Sequence, residues 1–152
     1  MSKRSPESKT ASALAEQIRT TLSRLKRRLR EQGGRGDLTP SQISVLLRLE
    51  KDVAATVSGL ARAEGMRPQS MSSIVTSLQD AGLVDSSSDP NDGRQTLMSL
   101  SSRCEKLLRE SRAARQDWLT AMIAQKLSAQ EQRQLSTTLE MLGRLTEDGP
   151  LS

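Results

Sequence analysis

Six side chains between positions 67 and 76 have the chemistry to read the edges of nucleic-acid bases. Gln69 can pair bidentately with adenine, and Arg67 can bind guanine or a phosphate. The other four carry short hydroxyl groups, which would let a helix approach base edges closely. The candidate base-contacting residues are Arg67, Gln69, Ser70, Ser72, Ser73 and Thr76. The alternative interpretation of the same residues is a polar surface helix.

Two short helices joined by a tight turn are predicted to carry these residues. Gly65 can take the left-handed conformation that ends a helix, and Pro68 suits the first turn of the next helix. Apolar residues recur at three- and four-residue spacing around the turn, at Val57, Leu60, Ala61, Met71, Ile74, Val75 and Leu78. Both helices therefore have one face for a core.

A β-hairpin is predicted after Gly82, which ends the second helix. Leu83-Val84 can start a strand, and residues 96–100 form an extended run with Met98 and Leu100 on one side. A polar loop, residues 86–95, lies between the strands. Helix, turn, helix and hairpin in this order form a winged helix-turn-helix.

Residues 56–100 resemble the MarR family of bacterial transcriptional regulators. The features that match are Leu60-Ala61, Gly65-Met66, Ser70-Met71-Ser72, Leu78, Gly82-Leu83-Val84, Asp89-Pro90-Asn91-Asp92-Gly93-Arg94 and Leu100-Ser101. The resemblance implies a homodimer with two reading helices in successive major grooves of double-stranded DNA. In that family the wing loop usually ends in two arginines, and here Gly93 occupies the first of those positions.

Arg94 would therefore be the single arginine at the wing tip. Narrow minor grooves attract arginine, so we expect Arg94 to enter one there. Asp92 would orient Arg94 through an ion pair, or would cap the Asp-Gly turn. The two roles for Asp92 are compatible.

The remaining chain is predicted to be helical, which makes the fold mainly α. Thr39 and Gln42 can form a capping box at one helix start, and Ser128 and Glu131 can form another. A long helix should begin at Ser101 or Ser102 and end near Lys126.

Long amphipathic helices at both ends of the chain are expected to form the dimer. The domain prediction is a mobile tail at 1–10, a helical dimerisation region at 11–32 and 102–147, a winged helix-turn-helix at 38–101 and a tail at 148–152. Dimerisation would bury apolar surface that the winged part cannot cover. The candidate interface residues are Ile18, Leu22, Leu25, Leu135, Leu139, Leu142 and Leu145.

Composition argues against catalysis. The 152 residues include no His, Phe or Tyr, one Trp and one Cys. They therefore offer no zinc cluster, no internal disulfide, no cofactor cradle and no nucleophile with a base partner. We predict a protein that is not an enzyme and has no cofactor. Neither a signal peptide nor a bilayer-length apolar run is present, which indicates a cytoplasmic protein without a membrane partner.

Positive charge is concentrated near the N-terminus. Residues 1–36 hold ten Lys or Arg against three Asp or Glu, whereas the rest of the chain holds 13 against 15. A polyanionic partner would explain this excess, and so would a solvated helix face beside a disordered tail. We predict a DNA-binding regulator, acting as a repressor. The alternative is a winged-helix scaffold that binds proteins without specific DNA binding, which the weakly charged wing favours.

Two regulatory hypotheses follow from the resemblance. In many MarR-family proteins a small aromatic ligand enters a cleft and releases the DNA. Such a cleft would be lined here by Leu22, Leu46, Leu49, Met66 and Trp118. Some relatives sense peroxide through a cysteine, but Cys104 lies in a different helix from theirs. We therefore expect Cys104 to be a small buried residue rather than a redox sensor.

Overall fold

The computed structural model describes residues 6–34 and 36–149. Within them lie six α-helices: α1 (Pro6–Gln32), α2 (Pro40–Asp52), α3 (Val57–Glu64), α4 (Pro68–Asp80), α5 (Ser102–Lys126) and α6 (Ala129–Gly143). The strands are β1 (Val84–Ser88) and β2 (Thr96–Leu100), and a 3-10 turn, Arg144–Thr146, follows α6. The predicted fold class, a mainly α winged helix-turn-helix with a small hairpin, is confirmed.

The chain divides into two compact units. The winged unit, Gly33–Ala113, holds α2, α3, α4, the hairpin and the first half of α5. The terminal unit holds α1 together with the chain from Ala114 onward. The sequence placed this boundary between residues 101 and 102. It lies later because Cys104 and Leu108 of α5 belong to the core of the winged unit.

The core of the winged unit is aliphatic and lies behind the α3–α4 pair. The turn between α3 and α4 has the predicted form, since Gly65 has a φ of 63° and ends α3. The buried side chains come from all the winged unit's elements: Val45, Leu46, Leu49, Leu60, Ala61, Met71, Val75, Leu78, Leu83, Val84, Met98, Cys104 and Leu108. Every apolar position predicted for α3 and α4 is in this core or packs against it.

Helix starts agree with the capping pattern, with one difference in position. Both predicted capping boxes are present, Thr39 with Gln42 and Ser128 with Glu131. Helix α1 begins at Pro6 rather than residue 11, so residues 6–10 are helical and not a tail. A proline suits the first helical turn, where its missing N–H has no partner to lose. Residues 1–5 and 150–152 of the predicted tails lie outside the described residues.

The hairpin has a longer first strand than predicted. β1 and β2 are antiparallel and pair Val84 with Leu100 and Ser88 with Thr96, which leaves only residues 89–95 as the loop. Ladder bonds therefore override the low strand propensity of the serines in β1. Ala55 adds an antiparallel bridge to Met98 on the other edge of β2. Met98 is buried and Leu100 half-buried, as their shared side of the strand predicted.

The end of the chain also departs from the predicted pattern. α6 stops at Gly143, so Leu145 belongs to the 3-10 turn rather than to the helix that carries Leu135, Leu139 and Leu142. A 3-10 turn places residues at different angles from an α-helix. Leu145 is 73% exposed in the single chain.

Candidate nucleic-acid interface

Helix α4 has one buried face and one exposed polar face. Met71, Val75 and Leu78 are at most 2% exposed and anchor the helix in the core. The six residues proposed to contact bases are all exposed. Because α4 is amphipathic in this way, its buried side fixes the helix while its polar side stays open to a partner.

Most of the polar side chains on α4 retain their hydrogen-bonding capacity. Ser73 donates its hydroxyl to the carbonyl of Gln69 at 3.2 Å. In the described part of the chain, the side chains of Gln69, Ser70, Ser72 and Thr76 form no hydrogen bond with protein. These groups therefore remain available to bind an external donor or acceptor.

Arg67 lies at the entrance of α4. It occupies the N-cap position in an extended backbone conformation, and its side chain makes no capping hydrogen bond. Pro68 follows as the first helical residue, where its fixed φ suits the helix. The exposed guanidinium is thus positioned beside the end of α4 that also carries Gln69 and Ser70.

The wing loop is shaped by two aspartates. Asp89 accepts a hydrogen bond from the backbone N–H of Asn91 at 2.9 Å, and Asp92 accepts one from that of Arg94 at 3.1 Å. Asp92 therefore has its expected turn-capping role. Within residues 6–34 and 36–149, the salt bridges include none between Asp92 and the exposed Arg94. The guanidinium of Arg94 is open to solvent.

Sequence reasoning did not identify a polar contact between α2 and the end of α3. Glu64 accepts hydrogen bonds from Arg48 Nε at 2.7 Å and from Ser44 Oγ at 2.8 Å. These two hydrogen bonds lower the pKa of Glu64 below its usual value, and the bond from Arg48 has the larger effect. The i,i+4 spacing of Ser44 and Arg48 places them on one face of α2. Their shared partner, Glu64, follows Ser44 by 20 residues and Arg48 by 16.

A second set of contacts joins the start of α5 to the turn after α4. Ser101 is buried; it donates its hydroxyl to the carbonyl of Gly82 at 2.7 Å and accepts from the N–H of Cys104 at 3.1 Å. Arg103 donates to the carbonyl of Ala81 at 3.0 Å. The last carbonyls of a helix have no partner within it. These bonds therefore hold the end of α4 in place.

The residues proposed to line a ligand cleft fall into two groups. Leu46 and Leu49 are at most 1% exposed and belong to the core of the winged unit, and Met66 is partly buried against that core. Leu22 and Trp118 belong to the terminal unit, where Trp118 stacks under the Arg28 guanidinium at 5.5 Å. Leu46 is too deeply packed to form an open cavity wall in this conformation.

Cys104 is a core residue, as expected. Its side chain is fully buried, and this burial, with the carboxylates of Glu50 and Glu105, raises the pKa of the thiol to about 11. The thiolate is the reactive form of cysteine. A thiol in this setting is chemically inert at neutral pH.

Within the described residues, no cluster of three or more potential metal ligands occurs. No helix in the same ranges is both long and apolar enough to cross a membrane. The exposed polar residues of α4 and the wing form the candidate site.

Comparison with known proteins agrees with this geometry. The chain is 35% identical over 137 residues to HTH-type transcriptional regulators of Mycobacterium bovis and Mycobacterium tuberculosis, covering 90% of this chain and 95% of each relative. Residues 36–95 match the model of the MarR family. The chain belongs to the MarR family. Its relatives are transcriptional regulators and not enzymes, so this protein is a transcriptional regulator with a DNA-binding fold.

Solved structures share the fold of this MarR-family chain. A transcriptional regulator from Pseudomonas aeruginosa is 29% identical with a TM-score of 0.72, over 91% of this chain and 98% of that one. A variant of S. aureus MepR bound to an oligodeoxyribonucleotide is 21% identical with a TM-score of 0.71, covering 87% of this chain and 97% of that one. At this low identity, the similarity to MepR shows a shared fold and nothing more.

Proposed function

We propose that this MarR-family regulator is a homodimer that represses transcription by binding a pseudo-palindromic operator in the bacterial cytoplasm. Helix α4 of each protomer would enter a major groove. A protein with two-fold symmetry requires two related half-sites, about one helical turn or roughly 10 base pairs apart. Repression would then depend on where the operator lies relative to the promoter.

The observation that carries this proposal is the open hydrogen-bonding capacity on α4. Four of its exposed polar side chains form no hydrogen bond with protein in the described residues, while the opposite face is anchored in the core. A merely solvated helix more often carries long charged side chains than five serines and threonines within nine residues. Short side chains allow the backbone to lie close to base edges.

Contacts to the phosphate backbone and the minor groove would add affinity. Arg94 is exposed at the wing tip, and Arg67 is exposed at the start of α4. Residues 38–101 hold five Lys or Arg against seven Asp or Glu. We therefore assign much of the long-range attraction to the basic helix α1. That helix carries Arg24, Lys26, Arg27, Arg28 and Arg30.

The dimer is supported by the state of the terminal helices. No residue of α1, which has 27 residues, or of α6 is buried in the single chain. An isolated helix gains most of its stability from packing an apolar face. Leu14 and Leu139 are more than half exposed, and Leu22 is 43% exposed. A second copy of the chain would cover these leucines.

Selection of bound sequences from random duplex DNA tests the proposal. We expect a two-fold symmetric consensus, bound by a dimer. Absence of enrichment at modest salt would favour the alternative, a winged-helix scaffold for proteins. Two features favour that alternative: the wing has a single arginine, and residues 38–101 have no net positive charge.

A small-molecule effector that releases the DNA is a separate part of the proposal, and it rests on family resemblance. Leu46 is fully buried in the core, so an effector could contact it only in a different conformation. Thermal shift measurements with small aromatic acids would test it, since a ligand that binds the folded state raises the melting temperature. Unchanged melting temperatures at millimolar ligand would count against effectors of this class.

A further inference from the structure

Gln42 of α2 uses both ends of its carboxamide. Its Oε1 accepts the backbone N–H of Thr39 at 2.8 Å, as the capping box requires. Its Nε2 donates to Ser77 Oγ on α4 at 2.9 Å. One side chain therefore closes the start of α2 and also reaches the proposed reading helix.

The orientation of this carboxamide follows from the capping box. The N–H of Thr39 needs an acceptor, and only the oxygen of a glutamine carboxamide accepts. With Oε1 committed to Thr39, the NH₂ group of Gln42 must point away from it, where Ser77 lies. The Ser77 hydroxyl then donates onward to the carbonyl of Ile74 at 2.6 Å. Every donor in this chain of bonds has one acceptor.

We propose that Gln42 is a positioning residue for DNA recognition, which sets the rotation of α4 through Ser77. This inference rests on the proposed function of α4 as the reading helix. Gln42 does not itself read bases. It determines where the reading side chains of α4 stand relative to α2 and the rest of the winged unit.

Apolar packing fixes which face of α4 is buried, but it restrains small rotations of the helix less sharply than a directional hydrogen bond does. The core face of α4 consists of Met71, Val75 and Leu78, and hydrophobic attraction is not directional. Side-chain tips lie about 5–6 Å from a helix axis, so a rotation of about 10° moves them by about 1 Å. A shift of that size breaks a hydrogen bond to a base edge. A directional bond at Ser77 restricts such a rotation.

The position of Ser77 suits this role. It lies four residues after Ser73 and one after Thr76, both proposed to contact bases. Residues i and i+4 are neighbours on a helix surface. The Gln42–Ser77 bond is therefore at the edge of the reading face. Because the capping box already orders the Gln42 side chain, the second bond costs little additional side-chain entropy.

The test is a double-mutant cycle with Ser77→Ala, Gln42→Ala and the double variant. The readout is the ratio of affinities for the selected operator and for an unrelated duplex, at one fixed salt concentration. Loss of the Gln42–Ser77 hydrogen bond predicts that each single variant lowers this ratio by about threefold to tenfold. Gln42→Ala also removes the capping bond to Thr39, so it should be the poorer of the two. The double variant should be no worse than the poorer single variant, because both remove the same bond.

The control is Glu131→Ala. Glu131 is the equivalent residue of the second capping box, in α6, where it accepts the Ser128 N–H at 2.7 Å. Its loss removes the capping bond without touching α4, and the affinity ratio should not change. A double variant whose loss equals the product of the single losses would overturn the proposal, because Ser77 would then act on DNA directly. An unchanged ratio in both single variants would also overturn it.

Hydrogen exchange separates this inference from the proposed function. If random selection yields no operator, the proposed function fails, but the bond from Gln42 can still be tested in the full-length protein. Ser77→Ala and Gln42→Ala should each speed amide exchange in the second half of α4 several-fold, with α6 unchanged. Exchange in α4 equal to that of the original protein would show that the bond does not hold this helix.

Discussion

Arg94 is the one basic side chain between Val84 and Leu100. Its guanidinium is exposed, while its backbone N–H is held by Asp92. We predict that Arg94→Ala lowers operator affinity by about fivefold to a hundredfold, the usual range for an arginine at a base or groove. Mobility-shift assays at fixed ionic strength would measure it.

The matched control for this substitution is Arg133→Ala, which removes an exposed arginine from α6. Dimerisation should be unaffected by Arg94→Ala, since the wing is outside the terminal unit. Equal operator affinity for Arg94→Ala and the original protein would remove the wing from the mechanism.

Cys104 should resist modification in the folded protein. With a pKa of about 11, roughly one thiol in a thousand is ionised at pH 8. Iodoacetamide should therefore leave native Cys104 intact and label it in urea, as judged by mass spectrometry. Peroxide should release operator DNA to the same extent from the original protein and from Cys104→Ser. Rapid labelling of the native protein would contradict this assignment.

At the level of elements, the bonds from Ser44 and Arg48 to Glu64 fasten α3 to α2. The pKa of Glu64 is lowered in the fold, so this carboxylate stabilises the protein fully above its ordinary pKa near 4.5. The contribution is lost as the pH falls through the folded-state pKa. We predict that Glu64→Gln destabilises the protein at pH 7 and that the difference shrinks below about pH 4.5.

Urea unfolding at several pH values measures this difference, with Glu110→Gln as the control. Glu110 pairs with Lys106 at 3.8 Å, but its side chain is 65% exposed, against 17% for Glu64. An exposed pair of that kind contributes little to stability. If both substitutions lower the free energy of unfolding equally at pH 7, the Glu64 contacts contribute no more than an exposed ion pair.

For the whole molecule, the terminal helices provide the decisive test of dimerisation. We predict that Leu22→Lys or Leu139→Lys raises the dimer dissociation constant more than about a hundredfold, because it would bury an unpaired charge. Helix content of the terminal unit should fall with dissociation. Sedimentation and circular dichroism would report both changes.

Leu47→Lys is the control for that substitution, since Leu47 is also an exposed leucine, at 39%, but belongs to the winged unit. It should leave the dissociation constant unchanged. If Leu22→Lys and Leu139→Lys form dimers as stable as the original protein, these leucines face solvent in the assembly.

Local signals along the chain were sufficient for most elements of the fold. Gly65 and Pro68 marked the turn between α3 and α4, and the boxes at Thr39 and Ser128 marked two helix starts, because each acts on backbone within a few residues. Boundaries were less certain where longer contacts decide them. β1 extends through Ser88 because β2 pairs with it. For the site, the exposed residues of α4 were predictable from their three- and four-residue spacing with the apolar ones.

By itself, the sequence determined the helical class, the turn, the amphipathic faces and the resemblance to MarR-family regulators, because these depend on residue type and short spacing. The tertiary structure alone decided which polar groups meet across the fold. Glu64 with Arg48, and Gln42 with Ser77, are separated by 16 and 35 residues. Such pairs form only when packing of the apolar faces brings the helices together, and no local pattern encodes the partner.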